Sequence, residues 1–119
     1  MSTPTFNQPI TQITVEALAA RMIQAEDQLQ LIDVREPEEL ELANIDGFIN
    51  LPLSQFAEWS GQIQSRFDPD SETIVLCHHG VRSAQMCQWL HQQGFTNLKN
   101  VTGGIDAYSA IVDPLVPRY

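Results

Sequence analysis

Residues 73–83 read Thr-Ile-Val-Leu-Cys-His-His-Gly-Val-Arg-Ser, and this stretch decides the fold. The apolar run at its start predicts a short buried strand, and a helical pattern opens at Ser83. A glycine-bearing loop joins the two. A strand, a tight loop and a helix N-terminus in this order direct backbone N–H groups and the positive end of the helix dipole at one point. The stretch therefore predicts an anion-binding loop at the end of a strand.

Cys77 is the candidate nucleophile of this loop. A helix N-terminus and basic neighbours favour the thiolate, which is the reactive form of cysteine. The alternative is an inert buried cysteine at a strand end, but the glycine loop and its basic residues favour the nucleophile. The remaining candidate residues follow directly, as substrate-binding members of the loop: His78, His79, Gly80, Val81, Arg82 and Ser83.

Arg82 stands at a helix start, where a cation opposes the helix dipole and calls for a compensating anion. The thiolate or an anionic substrate could supply that charge, so we expect Arg82 to orient the anionic end of a substrate. His78 and His79 are consecutive and do not easily share one tetrahedral metal site. We expect them to shape the loop and offer donors to the substrate, and the sequence leaves open whether either faces the pocket.

The loop from Cys77 to Arg82 resembles the six-residue active-site loop of the rhodanese (thiosulfate sulfurtransferase) family. Cysteine phosphatases use a related loop that is one residue longer. The likeness covers roughly residues 11–112, because three more segments resemble family motifs in the same order: 31–39, 45–52 and 94–105. The resemblance implies that Asp33 and Arg35, in the first of these segments, support the loop from a neighbouring strand.

Helix and strand signals alternate along the chain, which predicts one α/β domain with a mainly parallel sheet and helices on both faces. We expect a flexible tail over 1–9, the rhodanese-like domain over 10–112 and an extended tail over 113–119. The predicted strands are 29–34, 48–50, 73–76 and 97–101. The predicted helices are 15–23 with Thr14 as N-cap, 37–42, 54–66 capped by Ser54, 83–93 ended by Gly94, and 105–110.

The net charge of −9 argues against nucleic acids and anionic membranes as partners. Acidic residues are absent between Glu72 and Asp106, so we expect a neutral-to-basic site on an acidic body. The acidic residues of 36–41 are expected to form a solvated helix face. The start of the chain lacks the features of a signal peptide, and no apolar run is long enough to span a membrane.

Cys87 lies ten residues after Cys77 on an apolar helical stripe, which predicts core packing. A role as resolving thiol is disfavoured, because ten helical residues would separate the two cysteines too far for a disulfide. Two cysteines are too few for a disulfide scaffold in a chain of 119 residues, so the cytoplasm is the expected compartment.

The resemblance implies a sulfurtransferase that acts through a Cys77 persulfide. The thiolate would take the outer sulfur of a small anionic donor such as thiosulfate and pass it to a thiol, cyanide or a protein cysteine. We expect a monomer that needs no cofactor and no metal. One alternative is a phosphatase or arsenate reductase, against which the short loop and the lack of a nearby acid argue. The other is a sulfur carrier or regulatory module without turnover.

Overall fold

A single sheet of five parallel strands forms the centre of the molecule in the computed structural model, which describes residues 10–24 and 28–119. The strand order across the sheet is β1-β5-β4-β2-β3, and every pairing is parallel. The strands are β1 (Gln12–Ile13), β2 (Gln30–Asp33), β3 (Ile49–Asn50), β4 (Thr73–Leu76) and β5 (Leu98–Val101). The predicted α/β class is confirmed, while the tail predicted over 1–9 lies outside the described residues.

The part of the chain that the structure describes contains six α-helices, and one of them follows the loop singled out in the sequence. They are α1 (Val15–Gln24), α2 (Pro37–Leu42), α3 (Phe56–Trp59), α4 (Ile63–Arg66), α5 (Val81–Gln92) and α6 (Gly104–Ala107). A π-helical segment, Tyr108–Val112, continues α6. Thr14 caps α1 as expected, since its Oγ1 accepts a hydrogen bond from the backbone N–H of Ala17 at 3.1 Å.

The central strand β4 is buried on both faces. Ile74 and Leu76 pack into one hydrophobic cluster, and Val75 and Cys77 pack into another. Successive side chains of a strand point to opposite faces of the sheet, so these clusters are the two halves of the core. A strand with no solvated face needs a continuous apolar run, which is what residues 73–76 provide.

The strand register brings the functional candidates to one edge of the sheet. Asp33 of β2 pairs with Leu76 of β4, and Val75 pairs with Asn100 of β5. Cys77 comes directly after Leu76, at the carboxyl end of the central strand. In open parallel sheets, ligands bind beyond these carboxyl ends. The topology therefore places Cys77 in the position where such folds build their sites.

The continuous helix predicted over 54–66 is wrong. The segment is broken into a 3-10 turn (Leu53–Gln55), α3, a second 3-10 turn (Ser60–Gln62) and α4. Ser54 is not a helix cap, because its hydroxyl hydrogen-bonds the carboxylate of Glu36 instead. Trp59 and Ile63 both reach the core.

Several further boundaries differ from the sequence predictions, two of them at helix starts. Helix α5 begins at Val81 and not at Ser83, because Gly80 takes a left-handed conformation (φ 101°) and starts the helix directly. The last helix begins at Gly104 and becomes π-helical after Ala107. Residues 113–119, predicted as an extended tail, pass through a turn at 114–116, and Tyr119 then reaches the loop that follows β4.

Candidate active site

The sulfur of Cys77 lies buried inside the loop, with only 1% of the residue exposed. The backbone N–H of Gly80 donates to Sγ at 3.0 Å, and the hydroxyl of Ser83 lies 3.2 Å from it. The left-handed conformation of Gly80 turns its N–H inward, and a side chain there would crowd the carbonyl of Val101. Both donors would stabilise negative charge on the sulfur.

Asn100 of β5 holds the loop from the side of the neighbouring strand. Its Nδ2 donates to the carbonyl of Gly80 and to Oε1 of Gln12, each at 3.1 Å. Its Oδ1 is hydrogen-bonded to the hydroxyl of Ser83. That hydroxyl has one proton, so it donates to Oδ1 or to the sulfur of Cys77 at any moment. Asn100 therefore sets the position of both groups that contact the sulfur.

Helix α6 supports the loop from behind. The N–H of Ile105 donates to the carbonyl of Cys77 at 2.9 Å, and the N–H of Asp106 donates to that of His78 at 3.1 Å. Gly104 lies so close that a Cβ atom there would come within 2.4 Å of both carbonyl oxygens, and its φ is +61°. Only glycine fits this contact, so the loop and the Gly103-Gly104 turn are packed as one unit.

Arg82 is paired with an acid that the sequence did not place near it. Its Nη1 and Nη2 donate to Oε1 and Oε2 of Glu39 at 2.7 and 3.0 Å. The hydrogen bond from Arg82 is the main reason that the pKa of Glu39 falls to about 2. The expectation that no acid lies near the loop is therefore wrong, because α2 brings Glu39 to it. The compensating anion for Arg82 is this carboxylate.

Arg35 is fully buried and bonded in every direction. Its Nε and Nη2 bind the carboxylate of Asp33, with Nη2 and Oδ2 2.7 Å apart. The other N–H groups donate to the carbonyls of Glu39 and Ala43 and to the hydroxyl of Tyr119. All five N–H groups are used, so this pair links β2 and α2 and has no donor left for a substrate. Its predicted role as support for the loop remains a prediction.

His78 lies between two other rings. The ring of Tyr119 stacks on it with centroids 3.9 Å apart and planes 7° apart, and His79 stacks at the same centroid distance. Burial, and then the neighbouring His79, lower the pKa of His78. The neutral imidazole is thus favoured near neutral pH. His79 is exposed and lines the pocket described below, whereas His78 is covered by Tyr119.

A possible metal-ligand set exists beside the loop, formed by His78, His79 and Asp106. Their ligand atoms lie within 4.8 Å of one another. The carboxylate of Asp106 is already bound to Arg118 at 3.1 and 3.2 Å, and the two rings are stacked on each other. Binding of one ion would compete with this ion pair, so these residues fit a metal poorly as they stand.

An open pocket of about 460 Å³ adjoins the loop. Its lining includes His79, Gly80 and Val81 from the loop and Gln12, Gln85 and Asn100 from the surrounding elements. Gly80 both lines this pocket and donates to the sulfur of Cys77. The pocket therefore offers a space beside the loop in which the body of a substrate could lie.

A family model for the rhodanese-like domain matches residues 14–111. The chain belongs to the rhodanese-like domain family. The sequence resemblance is therefore confirmed over most of the chain.

Three comparisons place this rhodanese-like domain among known proteins. It is 47% identical over 114 residues to the rhodanese-like/PpiC domain-containing protein 12 of Arabidopsis thaliana; the match covers 94% of this chain but only 38% of that protein. It is 32% identical to the thiosulfate sulfurtransferase GlpE of Actinobacillus succinogenes, over 92% of this chain and 93% of that one. A rhodanese-like domain protein of Staphylococcus aureus superposes with a TM-score of 0.71 at 25% identity, covering 83% and 91% of the two chains.

These relatives support a sulfurtransferase kind of activity for the rhodanese-like domain. Among the residues that the structure describes, no helix has both the length and the apolar character needed to cross a membrane.

The second cysteine of the rhodanese-like domain lies in the same core cluster as Cys77. Both cysteines are free thiols. Cys87 is fully buried on α5, and this burial, with a smaller effect of Cys77, raises its pKa to about 12. A thiol that resists ionisation so strongly is a poor nucleophile. The structure thus agrees with the predicted packing role of Cys87.

Four residues of this site were missed from the sequence: Glu39, Asn100, Gly104 and Tyr119. Gly104 lies inside the family-like segment 94–105, but its contact with the loop carbonyls depends on the fold. Glu39 was read as part of a solvated acidic face, although Glu36–Glu39 also form a local contact in which the N–H of Glu36 donates to Oε1 of Glu39. A buried asparagine on a strand was a usable signal, since buried amides have hydrogen-bond partners.

Proposed function

We propose that this protein transfers a sulfane sulfur atom through a persulfide on Cys77. The observation that carries the proposal is the bonding of the buried Sγ to the N–H of Gly80 and the hydroxyl of Ser83. Preorganised donors on Sγ stabilise the Cys77 thiolate, which attacks the donor in the first step and is the leaving group in the second. Membership of the family and the sulfurtransferase relatives support the same chemistry.

The first step is attack of the Cys77 thiolate on the outer sulfur of the donor. With thiosulfate, a bond forms between Sγ and that sulfur, the sulfur–sulfur bond of the donor breaks, and sulfite leaves with the electron pair. Negative charge remains on the terminal sulfur of the Cys77 persulfide. In the second step an acceptor nucleophile, such as cyanide or a thiolate, attacks this terminal sulfur and releases the Cys77 thiolate. This is a ping-pong scheme with a covalent intermediate.

Mass measurement of the intact protein tests the scheme. The protein is incubated with thiosulfate or methanethiosulfonate, and the excess reagent is removed. The intact mass is then measured by mass spectrometry, before and after treatment with cyanide. We expect a gain of one sulfur atom that maps to Cys77 and is removed by cyanide. Absence of the gain with both donors would refute sulfur transfer. A gain without sustained turnover would assign the protein a carrier role.

A further inference from the structure

The cationic groups at the site are already neutralised. The carboxylate of Glu39 binds both terminal nitrogens of Arg82, and Asp33 forms an ion pair with Arg35. Arg118 beside the loop is paired with Asp106. These three ion pairs leave the loop without a net positive charge, and the thiolate of Cys77 adds a negative one. This differs from the locally basic site that the sequence predicted.

Glu39 is held firmly on Arg82 by further donors. The hydroxyl of Tyr119 donates to Oε2 at 2.8 Å, and the N–H of Glu36 donates to Oε1 at 3.0 Å. A substrate anion that used Arg82 fully would have to displace a carboxylate bound by four hydrogen bonds. Tyr119 is itself held by Arg35 and by stacking on His78. Glu39 is thus built into the site as a permanent negative charge.

The adjoining pocket carries no formal charge to replace Arg82. Within the described residues, its lining consists of glutamine, asparagine, threonine, histidine and small or aliphatic side chains, without lysine, arginine, aspartate or glutamate. Val81, at the junction of loop and pocket, is 67% exposed. Such a surface suits the organic part of a donor better than a second anionic group. The body of the protein, at −9, also opposes a dianion.

We infer that the site prefers sulfane sulfur donors with a single negative charge, such as organic persulfides and thiosulfonates, over the dianion thiosulfate, and that Glu39 sets this preference. The inference rests on the proposed function. With a thiosulfonate, the thiolate attacks the terminal sulfur, the sulfur–sulfur bond breaks and a sulfinate monoanion leaves with the electron pair. The products are the Cys77 persulfide anion and the sulfinate, so atoms and charge balance without any oxidant or reductant.

The test compares two donors that differ by one charge, thiosulfate and methanethiosulfonate. Rates of sulfur loading on Cys77 are measured at fixed pH and low salt and divided by the rate of alkylation with uncharged iodoacetamide. Coulomb energy scales with the charge of the donor, so Glu39→Gln should raise thiosulfate loading about tenfold and methanethiosulfonate loading by about the square root of that factor. Glu38→Gln removes the same charge from an exposed position on the same helix. We expect it to change either rate less than about twofold.

A second variant guards against misfolding of the first. Tyr119→Phe keeps the ring on His78 and removes the hydroxyl that donates to Glu39 and accepts from Arg35. It should raise the rate of thiosulfate loading by less than Glu39→Gln does. The ratio of methanethiosulfonate loading to thiosulfate loading should therefore fall, as it does in Glu39→Gln. Equal changes for both donors, a fall for both, or effects no larger than those of Glu38→Gln would overturn the inference. If neither donor loads sulfur on the wild-type Cys77, the proposed function itself fails.

Discussion

The two cysteines meet helix α5 at different turns, because Cys77 precedes the helix and contacts its first turn whereas Cys87 lies in its middle. At its start, the sulfur of Cys77 meets an N–H, a hydroxyl and, behind them, the amide of Asn100. In its middle, Cys87 is packed in the same apolar cluster and its pKa rises to about 12. Both residues are almost fully buried. Burial alone therefore does not distinguish a reactive cysteine from a packing one, whereas the supply of hydrogen-bond donors does.

The strongest test of this contrast is Cys77→Ser. We expect sulfur loading and transfer to fall to background, because a hydroxyl at this position does not ionise near neutral pH and serine is nearly isosteric. Intact mass and a cyanide turnover assay measure the effect, with thermal unfolding as a check on the fold. Equal loss of activity in folded Cys87→Ser would show that the two turns are not functionally different.

The loop also depends on its contact with α6, which Gly104→Ala would break. The added Cβ would lie 2.4 Å from two backbone oxygens at a positive φ. We expect a loss of about 3 kcal/mol or more in unfolding free energy, with most of the activity. Gly61→Ala is the control, because nothing lies within 4 Å of its Cβ position. It should change stability by less than about 1 kcal/mol in denaturant titrations.

Asn100→Ala tests whether the hydrogen-bond donors around the sulfur of Cys77 make it reactive. Loss of the amide removes a donor to the carbonyl of Gly80 and one of the two partners of the Ser83 hydroxyl. We expect a stability loss of about 1–3 kcal/mol and sulfur loading slower by about tenfold, since the donors to the sulfur lose their position. Asn97→Ala, at an exposed position before the same strand, is the matched control. Unchanged loading in Asn100→Ala would mean that burial and the helix dipole suffice.

A smaller effect, on stability, is expected from loss of the ion pair between Glu39 and Arg82 in the first turn of α5. The folded-state pKa of Glu39 is about 2, below the ordinary value of 4.5. Its contribution to stability is therefore complete above about pH 4.5 and is lost as the pH falls toward 2. Because Arg82 is one-third exposed, we expect Glu39→Gln to destabilise the protein by about 1 kcal/mol or less at pH 7. The difference from wild type should shrink in acid, which unfolding titrations over this pH range can measure.

The smallest effect on activity is expected from Cys87→Ala. Sulfur transfer should remain within about twofold of wild type, and stability should fall by about 1 kcal/mol from the lost packing. In the wild-type protein, an alkylating reagent at pH 8 should label Cys77 and reach Cys87 only after denaturant is added. Labelling of native Cys87 at a comparable rate would contradict the assigned contrast.

The sequence was sufficient for features that local patterns encode. The apolar run at 73–76 and the proline at the start of α2 gave both elements their observed bounds. The loop, its glycine and the helix after it lie within one short stretch, so their order was readable. The domain boundaries predicted at residues 10 and 112 stay a prediction.

Features built from distant segments were not readable in the same way. Glu39 and Arg82 lie 43 positions apart, and only the folded sheet brings α2 beside α5. Tyr119 lies 80 positions from Glu39. Ser54 looked like a helix cap because its neighbours follow a helical period, but a carboxylate from another segment, Glu36, binds its hydroxyl. Charge counted along the chain was misleading for the same reason, because the relevant charges meet in space.

The segments that hold the Cys77 loop are synthesised after Cys77 itself. The central strand and its cysteine precede both β5, which carries Asn100, and α6, whose N–H groups donate to the loop carbonyls. When residue 83 has just emerged from the ribosome, Cys77 is outside but the segments that hold its loop are not. Until the residues through α6 emerge and dock, the thiol is held only by its own loop. The growing chain therefore presents an unprotected cysteine, and protection of that cysteine against alkylation would report the moment at which folding is complete.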